Sequence, residues 1–388
     1  MRIGIEAQRI FRRKKHGMDI YAIQLIKHLQ KIDKQNEYFI FVKPGEDICL
    51  NESENFKIIE IKALTYLDWE QVWLPIKSRQ FKLDVLHCTS NTAPLFAGVR
   101  TIITLHDIIY LNKSFSGGSI YQRLGHYYRR WVVPQVVKKA SKLLTVSNYE
   151  AQRIQDHFMN LNNLKVIYNG VNPAFFTRQQ ANNPLVNQLP SDYLLFLGNT
   201  APKKNMKRLL AAYQKYREQV KQPMPLVIAE SSPALIQQML KDTNQTNALQ
   251  DIICIGYVSN DLLPEIFRKA KLFLYPSLAE SFGIPIIEAM ASGTPVITSN
   301  TTSMPEVAQG AAELINPFDT TSIVKAIMQL LQDNQKLTEL IEKGEYRAKK
   351  FLWIKVATKV LETYKQPVSN NTLPKVDRKP PTIERLAS

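Results

Sequence analysis

Short runs of consecutive apolar residues, each long enough for one β-strand, alternate with helix-period segments along most of this 388-residue chain. In the first half the runs are Arg2–Glu6, Tyr38–Val42, Lys57–Ile61, Asp84–Cys88, Thr101–Leu105, Lys142–Val146 and Lys165–Tyr168. In the second half they are Tyr193–Leu197, Leu226–Ala229, Ile252–Ile255, Leu272–Tyr275 and Pro295–Thr298. Apolar side chains on successive positions are what a strand covered on both faces requires. Helical periodicity fills the gaps, for example at Asp19–Leu29, Asn205–Tyr216, Pro233–Leu240, Leu262–Ala270 and Ser322–Leu331. The alternation predicts α/β architecture with parallel sheets wrapped by helices, and its repetition predicts two doubly wound, Rossmann-like domains. Ligands of such sheets bind beyond the carboxyl ends of the strands, so chemistry is expected in the cleft between the domains.

The expected boundaries are 1–172 for the first domain and 191–352 for the second. A polar, Asn/Gln/Pro-rich linker at 173–190 joins them. A C-terminal helix at about 353–364 is expected to pack back on the first domain. The proline-rich segment 366–388 has little apolar content and is expected to be a disordered tail. Cys49, Cys88 and Cys254 lack metal-ligand spacing and read as small core residues in a reducing compartment. The chain starts on a strand, without an export signal or an apolar run of membrane-spanning length, so a cytoplasmic location is expected. The formal net charge is +16, and residues 1–172 hold 25 Lys and Arg against 15 Asp and Glu, a surplus of ten. Nucleic acid, anionic lipid and phosphorylated small molecules all suit such a surplus, as does a merely solubilising surface.

The segment "PSLAESFGIPIIEAMASGTPVITS" (276–299) follows the run that ends at Tyr275. Pro285 suits the first position of a helix. Glu280 then lies in the loop over the strand's carboxyl end, with Glu288 one turn into the helix and facing the same crevice. Gly283 lets a ligand approach the backbone, where the helix amino end offers free N–H groups to an anion. A carboxylate accepts two hydrogen bonds, which suits vicinal sugar or ribose hydroxyls. The bland reading is a helix cap for Glu280 and a surface position for Glu288, and it leaves the Phe-Gly turn unexplained.

Glu280-Ser-Phe-Gly-Ile-Pro-Ile-Ile-Glu288 and the following Ala-Met-Ala-Ser-Gly-Thr-Pro-Val resemble the signature of the retaining glycosyltransferases of family 4. The resemblance runs from Ile3 to about Tyr364. It implies the GT-B fold, two Rossmann-like domains with an interdomain cleft. By it, Glu280 contacts hydroxyls of the donor sugar, Glu288 holds the nucleotide ribose, and backbone amides at Phe282, Gly283 and Ile284 meet the sugar and the diphosphate. In "FLGNTAPKKNMKRL" it puts Lys204 at the phosphate-binding lysine and Lys203 at a second cation, with Asn199 where many relatives carry an arginine. In "ITLHDIIY" it gives His106 a place near the donor sugar and Asp107 a place beside it, although a histidine ending a buried strand is ordinarily a core residue bonded to backbone. Gly17 matches the loop bordering donor and acceptor, and Gly256 and Val258 match the segment whose backbone meets the base.

No Walker loop, His-Glu-x-x-His pair, dinucleotide fingerprint or Asp-x-Asp pair is present in the sequence. The resemblance implies a nucleoside diphosphate sugar as donor substrate, a glycan or lipid-linked acceptor, no further cofactor and no metal. It leans towards mannose and towards surface polysaccharide, lipopolysaccharide or capsule assembly. A sugar-nucleotide epimerase of the same fold and a non-catalytic GT-B subunit are the alternatives. Two basic, aromatic segments, Arg9–Lys15 and Tyr121–Lys139, suit peripheral contact with an anionic membrane on its cytoplasmic face. An ordinary amphipathic helix explains the second equally well, and no motif supports nucleic-acid binding.

Overall fold

The computed structural model describes residues 1–111, 120–177, 183–198, 201–241 and 250–366. Among them, seven parallel strands form a first sheet, ordered β3-β2-β1-β4-β5-β6-β7. These are β1 (Arg2–Glu6), β2 (Glu37–Val42), β3 (Phe56–Glu60), β4 (Val85–Cys88), β5 (Arg100–Leu105), β6 (Lys142–Thr145) and β7 (Leu164–Val166). Six more form a second parallel sheet, ordered β10-β9-β8-β11-β12-β13. They are β8 (Leu194–Leu197), β9 (Leu226–Ala229), β10 (Ile252–Gly256), β11 (Leu272–Tyr275), β12 (Val296–Ser299) and β13 (Glu313–Ile315).

Helices of the first domain are α1 (Gly17–Ile32), α2 (Tyr66–Asp68) running through a π-helical turn at Trp69–Trp73 into α3 (Leu74–Gln80), α4 (Ile120–Lys139) and α5 (Asn148–Phe158). After α6 (Pro184–Asn187) come α7 (Met206–Gln219), α8 (Pro233–Lys241), α9 (Leu263–Lys269), α10 (Ile284–Ala291), α11 (Met304–Ala308), α12 (Thr320–Gln332), α13 (Asn334–Ala348) and α14 (Trp353–Lys365).

Side-chain alternation on β2 shows why the strands read as unbroken apolar runs. Tyr38, Ile40 and Val42 bury with Ile3, Ile5 and α1 on one face, while Phe39 and Phe41 bury with Leu86, Cys88 and α4 on the other. Each such side chain contributes roughly 1.5–3 kcal/mol of transfer free energy, so exposure of either face is not sustainable. β13 has no counterpart in the sequence reading. It is a three-residue edge strand with Glu313 and Leu314 partly exposed, so it needs no apolar run.

α14 leaves the second domain and packs on the first. Trp353, Val356, Val360 and Tyr364 share a cluster with Ile3, Ile5 and α1. Arg100 donates to the carbonyls of Tyr364 and Thr363 at 2.8 and 3.0 Å, satisfying acceptors that the helix end leaves open. Gly170 permits the crossing, because a Cβ there would lie 2.6 Å from the Trp353 ring. The tail at 367–388 lies outside the described residues.

Strand order reverses between β1 and β4 in the first sheet and between β8 and β11 in the second. Loops leaving two neighbouring strands in opposite directions open a crevice at such a point. In the second domain these are the loops at 198–205 and 276–283.

Candidate active site

Lys203 and Lys204 close a 3₁₀ turn after β8, and Asn205 ends it in the left-handed region with φ 62°. Asn205 Nδ2 donates to the carbonyls of Pro276 at 3.0 Å and Pro317 at 2.7 Å, and the Leu278 N–H donates to Lys203 O at 2.7 Å. The two loops of the crevice are thus tied together by backbone and amide. Lys204 Nζ then donates to Glu280 Oε1 at 2.7 Å and to Tyr275 Oη at 2.9 Å, 4.9 Å above the Tyr275 ring. Lys203 Nζ stands 3.8 Å from Glu280 Oε2 and is half exposed. Burial pushes the Glu280 carboxyl up, but Lys204 and Lys203 outweigh it and hold the group below its ordinary range. Glu280 thus pairs with both cations, closely with Lys204 and at longer range with Lys203. It is not a helix cap.

Gly283 is the residue before α10 and sits at φ 92°, a conformation that L-residues rarely adopt. Pro285 therefore occupies the second helical position, not the expected first. No side chain caps α10, and since Pro285 has no N–H and Ile286 donates to Gly283 O at 3.0 Å, the Ile284 N–H is the one in its first turn left without a partner among the described residues. Phe282 turns its ring inward against Tyr168 and Phe351, at centroid distances of 5.9 and 5.7 Å, and presents only backbone outward. A hydroxyl trio that the sequence reading missed holds this loop from behind. Thr301 Oγ1 donates to Leu278 O, Ser303 Oγ donates to the carbonyls of Glu280 and Phe282, and Thr302 Oγ1 accepts from the Glu280 N–H. The only sequence signal was three hydroxyl residues following β12.

Glu288 lies just over one turn into α10. The residue is partly exposed, and burial pushes its carboxyl up to about 7. Among the described residues no group donates to it. Both Glu280 and Glu288 act on the Tyr275 hydroxyl, raising it after burial, which places the two acids around one ring.

On the facing domain, His106 ends β5. Its Nε2 donates to Thr89 O at 2.9 Å, its N–H donates to Asn91 Oδ1 at 2.6 Å, and Tyr21 packs edge-on at 4.8 Å. Burial lowers the imidazole pKa more than the Thr89 contact and Asp107 raise it, so the ring is neutral and Nδ1 keeps its lone pair. Asp107 Oδ1 accepts the Ile109 N–H at 3.2 Å and starts the turn beyond the strand. Gly17 is exposed at the start of α1, with nothing within 4 Å of a Cβ position. Beside it Asp19 turns inward to Arg9 and Arg12. Gly256, at φ 64°, accepts the Glu230 N–H at 2.7 Å, and Val258 is buried. Asn199 lies outside the described residues.

Contacts across the cleft bring the halves together. Ser147 Oγ donates to Ser281 O at 2.6 Å. Glu306 of α11 accepts the Asn148 and Tyr149 N–H groups at 2.7 and 3.0 Å and the Tyr168 hydroxyl at 2.7 Å. A carboxylate of one domain thereby takes the first two N–H groups of α5 in the other, beside the Ser147 side chain that caps the helix. Among the charges acting on His16, beside Gly17, is Glu230 of the second domain.

Residues 16–175 match the family model described as Glycosyltransferase Family 4, and residues 178–347 match the one described as Glycosyl transferases group 1. The chain belongs to glycosyltransferase family 4. Its sequence is 35% identical over 177 residues to O-antigen chain mannosyltransferase B of Escherichia coli, covering 45% of each chain. It is 29% identical over 291 residues to O-antigen chain mannosyltransferase RfbU of Salmonella typhimurium, covering 74% of this chain and 75% of that one. The match to the Escherichia coli serotype-specific mannosyltransferase WbdA covers only 22% of that protein. The chain thus spans under half the length of the first curated relatives it matches. Among solved structures, sucrose-phosphate synthase of Thermosynechococcus elongatus superposes with a TM-score of 0.74 at 19% identity, covering 94% of this chain and 98% of that one. Anabaena HepE in complex with UDP-glucose superposes at 0.69 and 16% identity, covering 94% and 99%. The architecture of this family 4 chain is GT-B.

Proposed function

We propose that this chain is a retaining glycosyltransferase moving a sugar from a nucleoside diphosphate to a hydroxyl of a glycan or lipid-linked acceptor, in the assembly of cell-surface polysaccharide. The observation that carries the reading is the cluster at the β8–β11 switch point. Two lysines, the amino end of α10 and two carboxyl groups whose pKa values are shifted in opposite directions come together there. The names of the relatives favour mannose, and the solved neighbour with UDP-glucose shows that this fold accommodates a nucleoside diphosphate sugar.

In this reading the arriving diphosphate takes over Lys204 and Lys203 and meets the α10 amino end, with no metal required. Glu280, released from Lys204, turns its oxygens to sugar hydroxyls, Glu288 accepts from the ribose diol, and neutral His106 offers Nδ1 to the sugar. The bond from the anomeric carbon to the phosphate oxygen breaks and a bond to the acceptor oxygen forms on the same face. The acceptor's proton passes to the departing phosphate. Positive charge fixed where the leaving group becomes anionic lowers that barrier. A lipid-linked acceptor would be met at the cytoplasmic face of a membrane. No helix among the described residues is long and apolar enough to cross one, so the contact is peripheral in this reading.

A thermal-shift panel of nucleoside diphosphate sugars, GDP-mannose first, followed by product analysis with and without acceptor, tests the assignment. At least one donor should raise the melting temperature and transfer only when acceptor is present. Isomerisation of the donor alone would make the protein an epimerase, and absence of both binding and turnover would make it a non-catalytic subunit.

A further inference from the structure

Large apolar side chains are exposed on three separate stretches of the first domain. Leu64, before α2, is 95% exposed, and Trp73 and Ile76 follow on the π-turn and α3. Phe96, 75% exposed, comes from the loop after β4, and Leu124 and Trp131 project from α4 with Tyr127 between them. Positions 124, 127 and 131 share one face of α4 by helical spacing.

These stretches are packed together rather than merely adjacent in sequence. The rings of Tyr66 and Tyr128 meet at 5.8 Å, and Gln71 Nε2 donates to Tyr128 Oη at 2.6 Å. Gln71 Oε1 also accepts the Leu95 N–H at 2.9 Å, and Lys139 donates to Leu95 O and lies 4.3 Å above the Phe96 ring. Beneath them the π-turn buries Glu70, which accepts from the hydroxyls of Tyr66, Tyr128 and Thr92. The inward positions are filled by Trp69, Leu74, Val132 and Val136, so the outward ones have no core left to join. A patch of this extent is more than the scattered apolar exposure of an ordinary soluble surface.

Charge selects the occupant. Residues 120–139 contain Arg123, Arg129, Arg130, Lys138 and Lys139 and no Asp or Glu. Residues 61–82 add Lys62, Lys77, Arg79 and Lys82 against two acids, Asp68 in the capping box that Thr65 starts at α2 and Glu70 in the buried network. Aromatic and aliphatic side chains set among cations in clear excess over acids match an anionic bilayer, with rings at the headgroup level and ammonium groups on the phosphates. A soluble acidic protein would reward the cations but not the Leu, Phe and Trp beside them. The buried network under the patch adjoins the end of β5. Thr92, which holds Glu70, is next to Asn91, whose side chain holds the N–H of His106.

We infer that this face, built from α2–α3, Phe96 and α4, docks on an anionic membrane surface and so sets the cleft opening against the bilayer. The inference deepens the transferase reading and takes its purpose from it, but the docking is measured without any turnover. Full-length protein is sedimented with phosphatidylglycerol/phosphatidylcholine vesicles and with phosphatidylcholine vesicles alone, at low and high salt. The expected result is binding to the anionic vesicles that weakens with salt, with a blue shift in tryptophan emission. The combined Leu64→Ser, Phe96→Ser and Trp131→Ser variant should bind at least about tenfold more weakly, with an unchanged melting temperature. Failure of the wild-type chain to sediment, or equal binding by the variant, overturns the docking. So does a concentration-dependent dimer that the same substitutions dissolve, since a second copy would then cover the face. Binding without donor turnover upholds the docking and counts against the transferase reading.

Discussion

Replacing Lys204 by Met separates the two roles that its ion pair with Glu280 could have. The Lys204 and Glu280 side chains are 18% and 9% exposed. The pair therefore lies between surface pairs, which contribute about 0–1 kcal/mol, and fully buried ones, whose disruption costs about 3–5 kcal/mol. Lys203 and the Tyr275 hydroxyl remain to soften the loss. The expected destabilisation is about 1–3 kcal/mol, or roughly 2–10 °C in the melting temperature of a domain this size. Catalysis should suffer more, because a charged donor aimed at a leaving group is typically worth about 10²–10³-fold in kcat. Both are measured in one series, melting by calorimetry and kcat at saturating donor well below the melting transition. Adding Glu280→Gln to Lys204→Met removes the stranded carboxylate and should restore most of the stability without restoring the rate. A Lys204→Met enzyme with kcat within about threefold of wild type would refute the leaving-group role, as would a double variant that regains full turnover.

The remaining expectations are narrower. Glu288 ionises at about 7 in the folded chain against an ordinary 4.5, so its stabilising contribution is full below pH 4.5 and is lost as pH rises towards 7. Because a diol donates to the ionised carboxylate, donor affinity measured by calorimetry should rise through pH 7. Glu288→Gln should flatten that profile and weaken binding by about tenfold, the loss of one charge-assisted hydrogen bond. Glu306→Ala removes the acceptor of the first two α5 N–H groups across the domain boundary and leaves the Ser147 cap in place. It should cost about 1–2 kcal/mol and raise KM more than it lowers kcat, with a larger radius of gyration by X-ray scattering. Turnover with any accepted donor should persist in EDTA, since the diphosphate's charge is assigned to Lys203, Lys204 and α10. Loss of activity on chelation, restored by a divalent ion, would reassign it.

Much of the architecture was legible in the linear chain because strand burial on both faces leaves unbroken apolar runs such as Tyr38–Val42. The same logic fails for β13, whose edge position demands no such run. The Phe-Gly turn and the spacing of Glu280 and Glu288 were legible for a similar reason. Gly283 stands out because the φ of 92° ahead of α10 is one that L side chains rarely adopt, and α10 must begin where β11 ends. Thr301, Thr302, Ser303 and Glu306 were not legible, since each acts through a backbone group distant in sequence.

By itself the sequence determined the elements, their alternation and the presence of acids and cations after particular strands, since these follow from local propensity and from which faces must be dry. It could not determine that Lys204 is already paired with Glu280 while Glu288 has no described donor. Charge state depends on distances and burial that exist only once β8 and β11 lie side by side. Nor could it show that the stretches carrying Leu64, Phe96 and Trp131 pack together, because segments far apart in sequence meet only through the contacts of Tyr66, Glu70, Gln71 and Tyr128.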